Sequence, residues 1–186
     1  MELMQAIVTR RATREYDDTP VEQARIEQFI NAANLAPSAM NRQPWAFAVL
    51  SDPERIRNYA CRAKLWLLHD LDKKPELSTL RPLLENPAYS LLHGAPVLVL
   101  ILATSDDQQA MEDCCLAAEN FMLAARDEGV GTCWIGLARP WFNLSAIKAE
   151  LKIPENYQVV APIVLGFPKK WPEPHERNPA EIHWVG

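Results

Sequence analysis

The order of apolar and polar positions divides the chain into helix-period and strand-like runs. Residues 2–8 read as a short helix ending at an arginine-rich segment. Thr19-Pro20 opens a second helix, with Glu22 in its first turn; Ile26, Phe29, Ile30 and Ala33 recur at helical spacing until Pro37. Residues 45–50 are a short apolar run, read as a strand, and Ser51-Asp52-Pro53 caps a third helix. Pro75, Pro82 and Pro87 break residues 66–93 into expected loops and short helices. Residues 97–103 are rich in Val, Ile and Leu between Pro96 and Thr104-Ser105-Asp106, the pattern of a buried strand. Residues 106–128 form the longest expected helix, with Leu116, Ala117, Asn120, Phe121, Leu123 and Ala124 on its buried face and Gly129 and Gly131 ending it. A strand over 132–137, a helix over 141–151 and a strand over 159–167 follow. The tail from Pro168 is proline-rich and ends in Ile182-His183-Trp184-Val185.

No repeat or linker interrupts this order, so residues 1–186 read as one domain with a central sheet of four or five strands, α/β or α+β. A chain of 186 residues with 48% hydrophobic composition can bury a sizeable core. Its net charge of -5 argues against bulk nucleic-acid or anionic-membrane binding. The longest apolar stretch, 95–103, is too short to span a bilayer, and residues 1–9 lack the apolar run of a signal peptide. A cytoplasmic location is therefore expected. Cys61, Cys114, Cys115 and Cys133 form no CxxC pair and read as reduced, buried thiols. His69, His93, His175 and His183 have no zinc-like spacing, so no metal site is expected.

Two segments carry candidate chemistry. Arg10-Arg11-Ala12-Thr13-Arg14 places three guanidinium groups in five residues, suited to a phosphate and an electron-rich ring edge. A solvated helix end would show the same charges. Pro37-Ser38-Ala39-Met40-Asn41-Arg42-Gln43-Pro44-Trp45 offers hydroxyl, amide and backbone donors outside regular helix; alone it is also an ordinary loop. Gly129-Val130-Gly131-Thr132-Cys133-Trp134-Ile135-Gly136 follows a helix and enters a strand, the reverse of a dinucleotide-binding fingerprint. A glycine at 136 would let a flat ligand approach the backbone. Lys169, Lys170 and Arg177 lie in the tail, either solvated or folded back onto the same phosphate; the sequence does not choose among Lys169, Lys170 and His175 for that contact. No GxSxG, HExxH or P-loop is present.

These segments, with Ala117-Ala118-Glu119-Asn120-Phe121-Met122-Leu123-Ala124-Ala125, Val164-Leu165-Gly166-Phe167-Pro168 and Arg177-Asn178-Pro179, resemble the nitroreductase family of FMN-dependent oxidoreductases in order and separation. The resemblance implies an α+β fold, a central, mostly antiparallel sheet of four to five strands flanked by helices. It implies a homodimer with FMN sites at the interface, completed by the C-terminal tail. Arg10, Arg11 and Arg177 would hold the phosphate, with Ala12 beside them where many members carry Ser. Arg14 would lie near the pyrimidine end of the ring. Pro37, Ser38, Ala39 and Asn41 would approach from the other subunit, and Ile135, Gly136 and Leu137 would pass along the ring near N5. The implied activity is hydride transfer from NADH or NADPH through FMN to a nitroaromatic, quinone or activated enone. The rivals are an oxidase or dehalogenase on the same scaffold and a non-catalytic flavin-binding module.

Overall fold

The computed structural model describes residues 1–73 and 75–186. Its centre is a four-stranded antiparallel sheet: β1 (Trp45–Leu50), β2 (Val97–Ala103), β3 (Gly131–Trp134) and β4 (Gln158–Gly166), in the order β1-β2-β4-β3. Strand β2 is buried throughout and splits its side chains by parity. Leu98, Leu100 and Leu102 face one apolar layer; Val97, Val99, Ile101 and Ala103 face the other. This two-sided burial accounts for its unbroken apolar sequence.

One layer is covered by α2 (Gln23–Asn34) and α5 (Gln108–Asp127), where Phe29 meets Phe121 edge-on at 5.8 Å. The other is covered by α3 (Pro53–Leu71), with α4 (Arg81–Glu85), α6 (Arg139–Phe142) and α7 (Ser145–Glu150). There Tyr59 packs on Trp141 and Phe142. The short α1 (Leu3–Thr9) lies against α5. The α+β class and the strand number follow the expectation.

Several boundaries differ from it for identifiable reasons. Helix α2 starts at Gln23, after an extended Glu22. Val21 and Ile26 are buried in the same layer, at the spacing of a hydrophobic staple, so Pro20 stays outside the helix. Helix α3 continues through residues 66–71, the start of the stretch expected as loops and short helices, because Leu67 and Leu71 extend its buried stripe. Lys74, in the same stretch, lies outside the described residues. Strand β3 stops at Trp134 rather than 137. The Ile135 N–H donates to Pro162 O at 2.8 Å, but Pro162 has no N–H to return, so pairing ends there. Gly131 begins this strand instead of ending α5. The helix expected over 141–151 is two pieces. Asn143 between them accepts from Val159 N–H at 2.8 Å and donates to Val159 O at 2.9 Å. That exchange docks the break onto a register shift in the β2–β4 pair.

Helix α5 buries Ala110, Asp113, Cys114, Ala117, Ala118, Phe121, Met122 and Ala125, whereas Leu116 is exposed and Asn120, Leu123 and Ala124 are half-buried. Cys114 and Cys133 are buried, but Cys61 and Cys115 are exposed, correcting the expectation of four buried thiols. All four are free. Among the described residues no helix is long and apolar enough to cross a membrane.

Candidate functional site

The arginine segment is laid along the sheet edge by backbone bonds. Ala12 bridges Thr132 in parallel, and the Thr13 N–H donates to Thr132 O at 2.9 Å. Farther on, Tyr16 bridges Pro168 and Asp17 N–H donates to Phe167 O at 2.9 Å. The buried Tyr16 hydroxyl donates to Thr13 O at 2.6 Å, closing the segment on itself; burial raises its phenol well above the usual tyrosine range.

The three arginines then differ in occupation. Arg10 Nε donates to Glu119 on α5 at 3.2 Å. Arg11 donates to Val8 O and Arg10 O at 2.8 and 2.7 Å, but its Nε is buried without a partner. Arg14 is exposed and, among the described residues, makes no hydrogen bond or ion pair. An uncommitted guanidinium and an orphaned N–H in one short segment mark a place for an anion.

Three cavities surround the segment. A cavity of about 350 Å³ is lined by Arg14, Tyr89, His93, Cys133 and residues 134–137. A second, about 250 Å³, lies between Ala12, Arg14 and the tail residues Lys170 and Trp171. A third, about 290 Å³, includes Thr9, Arg11, Arg126 and Trp171. The structure thus brings Arg14 to Ile135, Gly136 and Leu137. At Gly136 nothing stands within 4 Å of where a Cβ would be, so the strand end is open to a ligand. Burial raises Tyr89 and Cys133, while burial and the charge of Arg14 lower His93.

The loop holding Pro37, Ser38, Ala39 and Asn41 lines none of these cavities. It packs beside the first turns of α5. Met40, Asn41 and Gln43 are left-handed, with φ of 52°, 55° and 48°. Such backbone costs a non-glycine residue about 1 kcal/mol or more and needs support. Ser38 Oγ accepts from Gln43 N–H at 2.9 Å, Asp113 accepts from Ala39 N–H at 3.2 Å, and Arg42 pairs with Asp107 at 3.0 Å. Met40, at the tip, is 96% exposed.

The tail is only partly folded back. Lys169 N–H donates to Glu15 O at 3.1 Å, and Lys170 pairs with Glu173 at 3.0 Å beside the second cavity. His175 and Arg177 stand exposed. Sequence reasoning missed Arg126, whose guanidinium lies 3.9 Å from the Trp171 ring centre and whose Nε donates to Thr9 at 3.0 Å. It also missed Tyr89 and His93 in the 66–93 stretch. The signal there was weak: neither position belongs to a periodic run.

The nitroreductase family profile matches residues 7–167, and the chain belongs to the nitroreductase family. An Archaeoglobus fulgidus protein with the provisional name NADH dehydrogenase/NAD(P)H nitroreductase is 33% identical over 98% of this chain and 97% of its own length. The 4-nitrobenzoate reductase of Pseudomonas putida is 28% identical over 87% of this chain and 83% of its own. The structure of a Bacteroides fragilis nitroreductase with bound FMN matches at a TM-score of 0.86 and 25% identity, covering 100% of both chains.

Proposed function

We propose that this chain is an NAD(P)H-dependent flavin oxidoreductase that holds FMN beside the arginine segment. The observation that carries this reading is the uncommitted Arg14 facing the open strand end at 135–137 across one cavity. The residues present fit the group: cations for a phosphate, an orphaned Arg11 N–H, and a glycine backbone that a flat ring can approach. Arg10, Arg11 and, on folding of the tail, Arg177 would hold the phosphate, with Ala12 alongside. Arg14 would stabilise negative charge at the pyrimidine end. Ile135, Gly136 and Leu137 would offer backbone groups along the ring. When bound, FMN supplies a ring that takes a hydride from NADH or NADPH and passes it to an electron-poor acceptor, a nitroaromatic, quinone or activated enone, in ping-pong order.

A homodimer completes the site. Pro37, Ser38, Ala39 and Asn41 lie on a loop held by hydrogen bonds to Gln43 and Asp113 and outside the cavities around the arginine segment, which suits contact with the cofactor of a second copy. Leu3, Met4 and Val8 on α1, Leu116 on α5, and Ile182, Trp184 and Val185 in the tail are exposed apolar groups that a partner would cover. Four free thiols, two of them exposed, suit a reducing cytoplasm.

Titration of the apoprotein with FMN, followed by desalting and light scattering, tests this reading. The expected result is one retained FMN per chain in a dimer. A protein that releases all flavin on desalting overturns it, and a monomer that retains FMN overturns the shared site.

A further inference from the structure

The cavity beside Arg14 holds two titratable rings that the proposed chemistry has not yet used. His93 and Tyr89 both line it, edge to face, with ring centres 5.9 Å apart. His93 sits at φ 54° in the turn before β2, its N–H donating to Ser90 O at 3.0 Å. Leu91 and Leu92, immediately before it, are fully buried and fix the turn to the core. Among the described residues the imidazole makes no hydrogen bond or ion pair. A half-buried, uncommitted imidazole therefore shares a wall with an uncommitted guanidinium.

The charged and titratable groups around His93 are Arg14 from the segment after α1, Tyr89 from its own turn and Cys133 from β3. Burial pushes the Tyr89 phenol and the Cys133 thiol up, so both stay neutral near pH 7. Burial and Arg14 push His93 down, leaving its ring neutral. His93 is the group in this cavity poised to accept a proton when negative charge arrives.

We propose that His93 is the proton carrier of the reaction, loading a proton when the cofactor is reduced and delivering it to the electron acceptor. This rests on the FMN reading above. A hydride from the reduced nicotinamide carries two electrons and one proton, so reduction leaves one added negative charge in the cavity. That charge offsets Arg14, and a ring nitrogen of His93 binds a proton from solvent. When a quinone takes the hydride on one oxygen, its other oxygen takes the proton from His93. The quinol leaves, the imidazole is neutral again, and the flavin is oxidised.

The test is the pH dependence of the bound-flavin midpoint potential in wild type and His93→Asn, asparagine tolerating the left-handed backbone. One proton per two electrons gives a slope of about 30 mV per pH unit, and a second proton doubles it to about 59 mV. Wild type is expected to show the steeper slope across the His93 titration, and His93→Asn the shallower one throughout. The imidazole NMR titration of wild type is expected to move to higher pH on reduction. Equal slopes in the two proteins, or an imidazole that titrates alike in both redox states, overturn the assignment while leaving FMN binding intact. Failure to retain FMN overturns the underlying reading and the assignment with it.

Discussion

Thr13 and Gly131 touch so closely that a Cβ at position 131 would stand 2.5 Å from the Thr13 hydroxyl oxygen and 2.8 Å from its Cβ. Thr13 is 1% exposed and anchors the arginine segment between Ala12 and Arg14. The glycine is what lets that segment lie flat against β3. Gly131→Ala should therefore cost about 1–3 kcal/mol of stability, the range for overpacking a core. It should also weaken FMN binding, because Arg11 and Arg14 shift with Thr13. Denaturant unfolding and flavin titration of the variant check both; a variant as stable as wild type contradicts the packing argument.

Asp113 should govern the 38–43 loop. Its carboxylate is buried and accepts from Ala39 N–H at 3.2 Å and from Gln109 Nε2 at 3.1 Å. Asp113→Ala removes the acceptor, and Ala39 amide exchange should accelerate roughly tenfold or more, with FMN affinity falling by a similar factor. Asp113→Asn, which keeps an acceptor oxygen, should lie between. Unchanged exchange at Ala39 in Asp113→Ala would contradict this role.

What the sequence shows of this molecule depends on whether a pattern is local or set by partners elsewhere in the chain. The β2 run and the presence of α2 and α5 are regular patterns that appear in the expected order, but the buried face of α5 is rotated from the expected one: Ala117 and Phe121 are buried and Leu116 is exposed. The arginine segment and Gly136 stood out in the sequence as candidates because guanidinium groups and glycine have few substitutes, and Arg14 and Gly136 line one cavity in the structure. The missed features depend on partners far along the chain. Strand β3 ends early because of Pro162 on its neighbour, and the helix expected over 141–151 is two pieces because Asn143 meets Val159. His93 and Tyr89, which touch each other edge to face, come to line one cavity with Arg14 and residues 133–137 only in the folded chain. A histidine without spacing carries no such signal.

Arg14→Ala should lower the flavin midpoint potential and slow reduction by roughly tenfold or more, since a cation aimed at developing charge is removed. The same change should raise the His93 titration, because Arg14 now holds it down. Anaerobic potentiometry and stopped-flow reduction measure the first, NMR the second. An unchanged potential removes Arg14 from the site.

Asp107 should shape the acid limb of stability. It caps α5 through the Ala110 N–H at 2.9 Å and accepts from Ser105 and Arg42. The hydrogen bonds from Ser105 and Arg42 lower its pKa to about 2. An unfolded aspartate titrates near 3.9. A depressed folded pKa means that stabilisation is present above about pH 4 and is lost as pH falls toward 2. Asp107→Asn keeps the cap and removes the charge, so its stability should change less between pH 4 and 2 than that of wild type. Parallel acid-unfolding profiles would contradict this.

The central claim is tested most directly by the absorbance spectrum of the FMN-loaded, desalted protein before and after anaerobic addition of NADH and, separately, NADPH. Retained flavin bands that bleach with at least one nucleotide, and return when a quinone or nitroaromatic is added, are the predicted result. Retained bands that neither nucleotide bleaches would contradict the reductase and leave a flavin protein of another kind.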